Sequence, residues 1–412
     1  TLTQDTASIG DLSWWELYND TTLQQLIHRA LTYNKDLKIA SARMNELAAL
    51  KRIDFANMFP QATARLNGNR ETTNYGGDNF DADPELSLTA SISWELDLWG
   101  NLRWARDHST AGFLASVENC RAVKMGLVAQ VAQSYFELMA LDNELAIVRR
   151  TLEARREGVR LAEIRFKGGL TSEIVFQQAK VELAKTATMV PDLERRISLK
   201  ESEIALLTGD FPYAVNRNVL PEEIQLPDAL PLGLPSTLLE RRPDIRKAER
   251  ELMAAHAEVG LAYTNMFPRL ALTATLGAES ETLRDLLKSP YSYLAGNLLS
   301  PLFAMGKNRA ALKAKRAAYE GAVAEYEKTV LTAFKETHNA IINFNKIKDI
   351  YESRRQLAEA SRTAVELAQL QYINGVINYL DVLDAQRGYF DAQIGLSNAI
   401  RDELIAVVQL YK

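Results

Sequence analysis

Leu86-Ser87-Leu88-Thr89-Ala90-Ser91-Ile92-Ser93-Trp94-Glu95-Leu96-Asp97-Leu98 carries an apolar side chain at every even position and a polar one at every odd position. Strict period two marks a strand with one greasy face and one wet face. Such a face covers a soluble core or meets lipid. The segment after the strand offers no cover. Proline is absent from residue 85 to residue 190, and a helical pattern runs from about 102 to 166 before the break at Gly168-Gly169. At about 1.5 Å per residue, a helix of that span is roughly 100 Å long. A rod of this length leaves the strand behind and needs partners along its whole extent.

The same design occurs twice. Proline is absent again from 302 to 412, and Asn374-Gly375 breaks that stretch 206 positions after Gly168-Gly169. Asn57-Met58-Phe59-Pro60 recurs as Asn265-Met266-Phe267-Pro268, and Gly100 with Arg103 recurs as Gly306 with Arg309. A heptad of Leu138, Leu145, Leu152, Val159 and Phe166 is matched by Phe344, Tyr351, Ala358, Val365 and Tyr372. Period seven implies left-handed supercoiled packing. Each half therefore reads helix, two strands, long helix, turn, return helix. The first repeat covers 1–208, with strands at about 61–75 and 85–98, the long helix at 102–166 and the return helix at 172–208. A Pro-rich connector spans 209–235. The second repeat covers 236–412, with strands at about 269–279 and 291–303, the long helix at 308–372 and the return helix at 378–412.

Composition narrows the classes. There is no apolar run of about 18 residues or more, so a membrane role requires a barrel rather than a helix. A net charge of −5 argues against nucleic acid as a partner. The lone Cys120 excludes an internal disulfide and reads as a packing residue. Arg149, Arg150, Arg155, Arg156 and Arg160, interleaved with Glu153 and Glu157, read as a solvated helix face. His28, His108, His256 and His338 are solitary, without metal-ligand spacing, and no phosphate loop or nucleophile elbow occurs. An enzyme, a metal and a cofactor are not expected. Four strands cannot close a barrel, so strands from three chains, 12 in all, are expected to join. Leu86, Leu88, Ile92 and Trp94 are then lipid-facing, and Trp94 and Trp99 suit either an aromatic girdle or core packing.

The chain resembles the TolC-like outer-membrane efflux proteins, especially the NodT-type lipoprotein branch. The resemblance rests on Trp14-Trp15-Glu16-Leu17, Leu23, Leu26-Ile27, Ala30-Leu31 and Asn34 to Asp36-Leu37. It rests further on Glu95 to Gly100, Arg241-Arg242-Pro243-Asp244-Ile245 and Asn265 to Pro268. It implies a homotrimer whose 12-stranded outer-membrane β-barrel continues into a periplasmic α-barrel. The implied partners are a periplasmic adaptor (membrane fusion) protein and an inner-membrane pump of RND or MFS type. Members of the branch often begin with a lipid-bearing Cys where this sequence begins with Thr1.

Within the return helix, Asp381, Asp384, Gly388, Asp391, Gly395, Asn398 and Asp402 recur every three or four residues and share one small, acidic face. That face suits a water-filled lumen. Asn378 as a cap and Asp381 in the first turn also fit plain helix termination. The resemblance assigns the narrow periplasmic aperture to the Asp pair, hence to Asp381 and Asp384, with Tyr372 as a neighbouring constriction. Relatives carry Arg and Asp where this chain has Ile377 and Val175, so their interlocking ion pairs are not expected. The turns at Gly168, Gly169, Leu170 and at Asn374, Gly375, Val376 are expected to meet the adaptor. The resulting expectation is a passive exit duct for drugs and other small toxic solutes. A protein-secretion duct of the same fold and a soluble coiled-coil scaffold are the alternatives.

Overall fold

The computed structural model describes residues 18, 20–73, 81–217, 241–301 and 303–412. Trp14 to Leu17 and most of the Pro-rich connector lie outside the described residues. The elements are α1 (Thr21–Tyr33), α2 (Lys35–Ala56), β1 (Gln61–Thr73), β2 (Asp81–Leu96), α3 (Asn101–Lys167) and α4 (Glu173–Leu207). They continue with α5 (Pro243–Thr264), β3 (Arg269–Ser280), β4 (Pro290–Leu299), α6 (Lys307–Ile373) and α7 (Tyr379–Tyr411). Both long helices run one residue beyond the expected limits at each end.

Two compact units are present, one from Thr1–Ile39, Arg121–Leu238 and Thr332–Lys412, the other from Ala40–Cys120 and Leu239–Leu331.

The second unit holds an antiparallel sheet in the order β1-β2-β3-β4. Its register sets Leu66 opposite Leu88, Ala62 opposite Ile92, and Leu88 opposite Ala278. Ile92 faces Ala274, Trp94 faces Leu272, Ala274 faces Leu294 and Leu270 faces Leu298. Opposed residues share a face, so the period-two pattern becomes one continuous apolar surface across four strands. The other face carries Thr63, Ser91, Thr275 and Tyr293 in one row, with Ser91 and Thr275 hydroxyls hydrogen-bonded at 2.8 Å. Leu66, Ile92, Leu276 and Leu294 are all exposed. β2 ends at Leu96, two residues before the alternation does. The Asp97 carboxylate instead accepts the N–H groups of Leu102 and Arg103, each at 3.0 Å, and starts α3. The indole N–H of Trp94 donates to the Met58 carbonyl, and that of Trp99 to the Pro268 carbonyl.

Aliphatic and aromatic side chains of five helices build the core of the first unit: Leu23 and Ile27 of α1, Val131, Tyr135, Phe136 and Leu138 of α3, Leu193 and Ile204 of α4, Phe344 of α6, and Val407 of α7. The heptad positions agree with this packing. Leu138, Leu145, Phe344, Ala358 and Val365 are buried, and the seam loosens at Phe166, which stacks on Phe176. The first repeat begins with two helices rather than one, because Asn34 interrupts them. Its side-chain oxygen accepts the Leu37 N–H and its amide donates to the Leu207 carbonyl. Gly209, at φ +76°, passes so close to Tyr33 that a Cβ there would lie 2.5 Å from the Tyr33 carbonyl oxygen, so only glycine fits.

Candidate functional site

Both helical hairpins turn by the same device. The N–H of Leu170 bonds to the Arg165 carbonyl at 2.8 Å and that of Val376 to the Gln371 carbonyl at 2.9 Å, around Gly169 (φ +71°) and Gly375 (φ +74°). These are Schellman closures, which need a left-handed residue. A Cβ on either glycine would meet nothing within 4 Å, so backbone conformation rather than crowding selects glycine here. Leu170 and Val376, 80% and 70% exposed, project at the tips.

Asp381, Asp384 and Asp391 lie on an exposed face of α7, opposite the buried Val382 and Leu383. Asp381 also accepts the Asn378 N–H at 3.0 Å, so it closes the helix N-terminus while remaining exposed. Further along, the acidic face departs from the sequence reading. The Arg354 guanidinium lies against Gly395, while Arg401 takes up Asn398 at 2.8 Å and Asp402 at 2.7 Å. Among the described residues, Asp381, Asp384 and Asp391 form no direct ion pair, so the exposed acidic stretch runs from Asp381 to Asp391. Tyr372 is half-buried, with the Arg165 guanidinium 4.5 Å from its ring centre and the Tyr379 ring at 5.3 Å, so it packs on its own chain.

Sequence reasoning missed the ionic node beside this face. Glu182, on the buried side of α4, accepts from Arg387 of α7 at 2.8 Å, lies 3.2 Å from Arg155 of α3, and also pairs with Lys185. Arg155 further donates to the Thr186 hydroxyl. Arg155 therefore does not belong to the solvated face that Arg156–Glu153 and Arg160–Glu157 form as exposed pairs. It falls in register with Val148 and Ala162 on the seam, where heptad position outranks charge. The signal was available: Glu182 interrupts the apolar series Phe176, Ala179, Leu193 and Ile197.

Burial alone would raise the Glu182 carboxyl, but hydrogen bonds from Arg387 and Lys185 and the charge of Arg155 outweigh it and hold it below the usual value of 4.5. A depressed carboxylate stabilises the fold above its unfolded value, and the contribution is lost as pH falls through the folded one. Thermal midpoints should accordingly fall below about pH 4.5. Glu182→Ala, which strands Arg155 in a buried site, should cost about 3–5 kcal/mol, and pairing it with Arg155→Met should recover most of that. Circular dichroism melts at a fixed scan rate check both. An equal loss in the single and double variants would contradict this account.

A profile of the family described as Outer membrane efflux protein matches residues 26–210 and 234–412. Solvent efflux pump outer membrane protein SrpC of Pseudomonas putida is 33% identical over 406 residues, covering 96% of this chain and 86% of SrpC. Outer membrane protein OprJ of Pseudomonas aeruginosa is 32% identical, covering 98% of this chain and 86% of OprJ. The solved outer-membrane channel OprN superposes with a TM-score of 0.90 at 30% identity, over 97% of this chain and 91% of that one. The open state of the Neisseria gonorrhoeae MtrE outer membrane channel gives 0.89 at 27% identity, over 100% and 94%.

Proposed function

The chain belongs to the outer membrane efflux protein family, and from that membership we propose how its residues build and gate the duct. The protein is the outer-membrane exit duct of a tripartite efflux system, and it works with an adaptor and an inner-membrane pump. In the proposed assembly three copies close a 12-stranded barrel, β4 of one pairing with β1 of the next.

The observation that carries this reading is the sheet. Its edge strands β1 and β4 have no partner on their outer sides among the described residues. Its apolar face exposes Leu66, Leu88, Ile92, Leu272, Leu276, Leu294 and Leu298. Each such side chain is worth about 1.5–3 kcal/mol when removed from water, so the uncovered face costs on the order of 10 kcal/mol. Lipid removes that cost, and lipid tolerates no open strand edge. The same exposure counts against a soluble scaffold, whose strands would have to cover one another.

In this assembly Leu86, Leu88, Ile92 and Trp94 face outer-membrane lipid. Asp381 and Asp384 ring the periplasmic aperture, with Asp391 further along the lumen and Tyr372 bracing the constriction from behind. The tips at Gly168, Gly169, Leu170 and at Asn374, Gly375, Val376 receive the adaptor, which links the duct to a pump of RND or MFS type. Two stretches matched by one family, each with a helix followed by two strands, a long helix and a return helix, support an internal duplication. Names of relatives that specify solvent and toluene efflux favour small apolar toxic solutes over secreted protein as cargo.

Light scattering in mild detergent, corrected for the micelle, should return a trimer. A monomer would overturn the assembly.

A further inference from the structure

A cavity of about 700 Å³ lies at the base of the sheet, between α5 and the first turns of α6. This falls in the range of small-molecule sites. Two kinds of wall meet in it. Leu261, Phe267 and Leu299 supply an apolar side, while Arg269, Lys307 and Lys315 supply cations against the single carboxylate of Glu258.

Their pairing is uneven. Lys315 binds Glu258 at 2.7 Å, which leaves Arg269 and Lys307 as surplus charge. Among the described residues Arg269 donates only to the neutral side-chain oxygen of Asn265, at 2.7 Å. Lys307 has no side-chain partner among the described residues. It also stands in the first turn of α6, where the helix dipole disfavours a cation, so a bound anion gains from both and relieves their opposition.

Register tells which way the cavity opens. Arg269 pairs with Leu299, and both lie on the face of Thr273 and Thr275, not on the face of Leu270, Leu272 and Leu298. This is the polar face, which lines the lumen if three copies close into the proposed barrel.

We propose that the cavity between α5 and the start of α6 is a lumen-side binding site for anionic amphiphiles, molecules with one sulfonate, carboxylate or phosphate on an apolar body. Arg269 and Lys307 take the anion, and Leu261, Phe267 and Leu299 take the body. The site rests on the reading of the protein as a trimeric duct and deepens it by assigning named residues to the binding of one class of solute.

The test is blockade of the reconstituted trimer in planar bilayers of neutral lipid at about 0.1 M salt, where charges are only partly screened. Naphthalene-2-sulfonate and the uncharged 2-naphthalenemethanol are added from the barrel side, away from the acidic aperture. The sulfonate should half-block at a concentration about tenfold below that of the alcohol. Arg269→Gln with Lys307→Gln should raise the sulfonate value about tenfold and leave the alcohol value unchanged, because only charge-assisted bonds are removed. Leu299→Trp, which fills the cavity without touching its charges, should weaken both probes. Equal half-blocking concentrations for the two probes, or a sulfonate value unmoved in both variants, would overturn the site while normal conductance leaves the duct intact. A wild-type chain that conducts but is not blocked, with a double variant that no longer assembles, identifies the cavity as a contact between copies and also overturns the site. Absence of any conductance strikes the duct reading itself.

Discussion

Leu88→Arg and Ile92→Arg are expected to abolish assembled trimer in the outer membrane, whereas Ser91→Arg should leave a substantial yield. Leu88 stands between Leu66 and Ala278, and Ile92 between Ala62 and Ala274, all on the apolar face. A guanidinium near the bilayer centre costs about 2–4 kcal/mol. A trimer carries the change three times, so the assembly loses roughly 6–12 kcal/mol, comparable to the whole stability of many proteins. Ser91 lies on the opposite face, where its hydroxyl meets that of Thr275. Losing that bond costs about 1 kcal/mol, and in the proposed barrel the new cation sits in water. Gel analysis of heat-sensitive trimer from outer-membrane fractions reads the difference. Equal yields from Leu88→Arg and Ser91→Arg would show that the faces are assigned the wrong way round.

The second large effect is expected at the tip. With Asp381 and Asp384 both replaced by Ala, single-channel conductance should rise and cation preference should fall. In the proposed trimer three copies of each carboxylate surround a narrow axis and attract cations, and their removal takes both charge and bulk from that point. Asp381 also terminates α7 through the Asn378 N–H, so the double variant should lose about 1 kcal/mol of stability as well. The Glu182–Arg387 pair keeps both its partners and continues to hold α4 to α7. Increased leakage of large antibiotics, rather than improved export, is the cellular counterpart, because the duct itself supplies no energy. Planar-bilayer recording separates the two roles of these residues. A lowered melting temperature with unchanged conductance and selectivity would reduce them to helix capping.

Short-range patterns were legible where one rule acted alone. The alternation from Leu86 to Leu96 became a two-faced strand, because neighbouring side chains on a strand point to opposite sides whatever else the chain does. Gly169 and Gly375 end helices at the expected points, since a left-handed residue is a local requirement. Where two rules competed, the reading failed. Arg155 looked like part of a solvated cluster by composition and is a seam residue by position. The stripe from Asp381 to Asp402 is real as spacing, yet Arg354 and Arg401 occupy its further half. Residues remote in the sequence supply one of those partners, and periodicity within one helix cannot reveal them.

By itself the sequence determined the order of strands, long helices and return helices, the lengths of the two long helices, the tip glycines and the identity of the apolar strand face. Each of these arises from interactions within about one or two turns of chain, where side-chain direction is set by the backbone. Only the tertiary structure decided which strand neighbours which, and that the apolar faces of four strands merge into one. It alone joined Glu182 to Arg155 and Arg387, and brought Arg269 and Lys307 to one cavity. These depend on crossings between segments tens to hundreds of residues apart, whose register is fixed by the joint packing of all the elements.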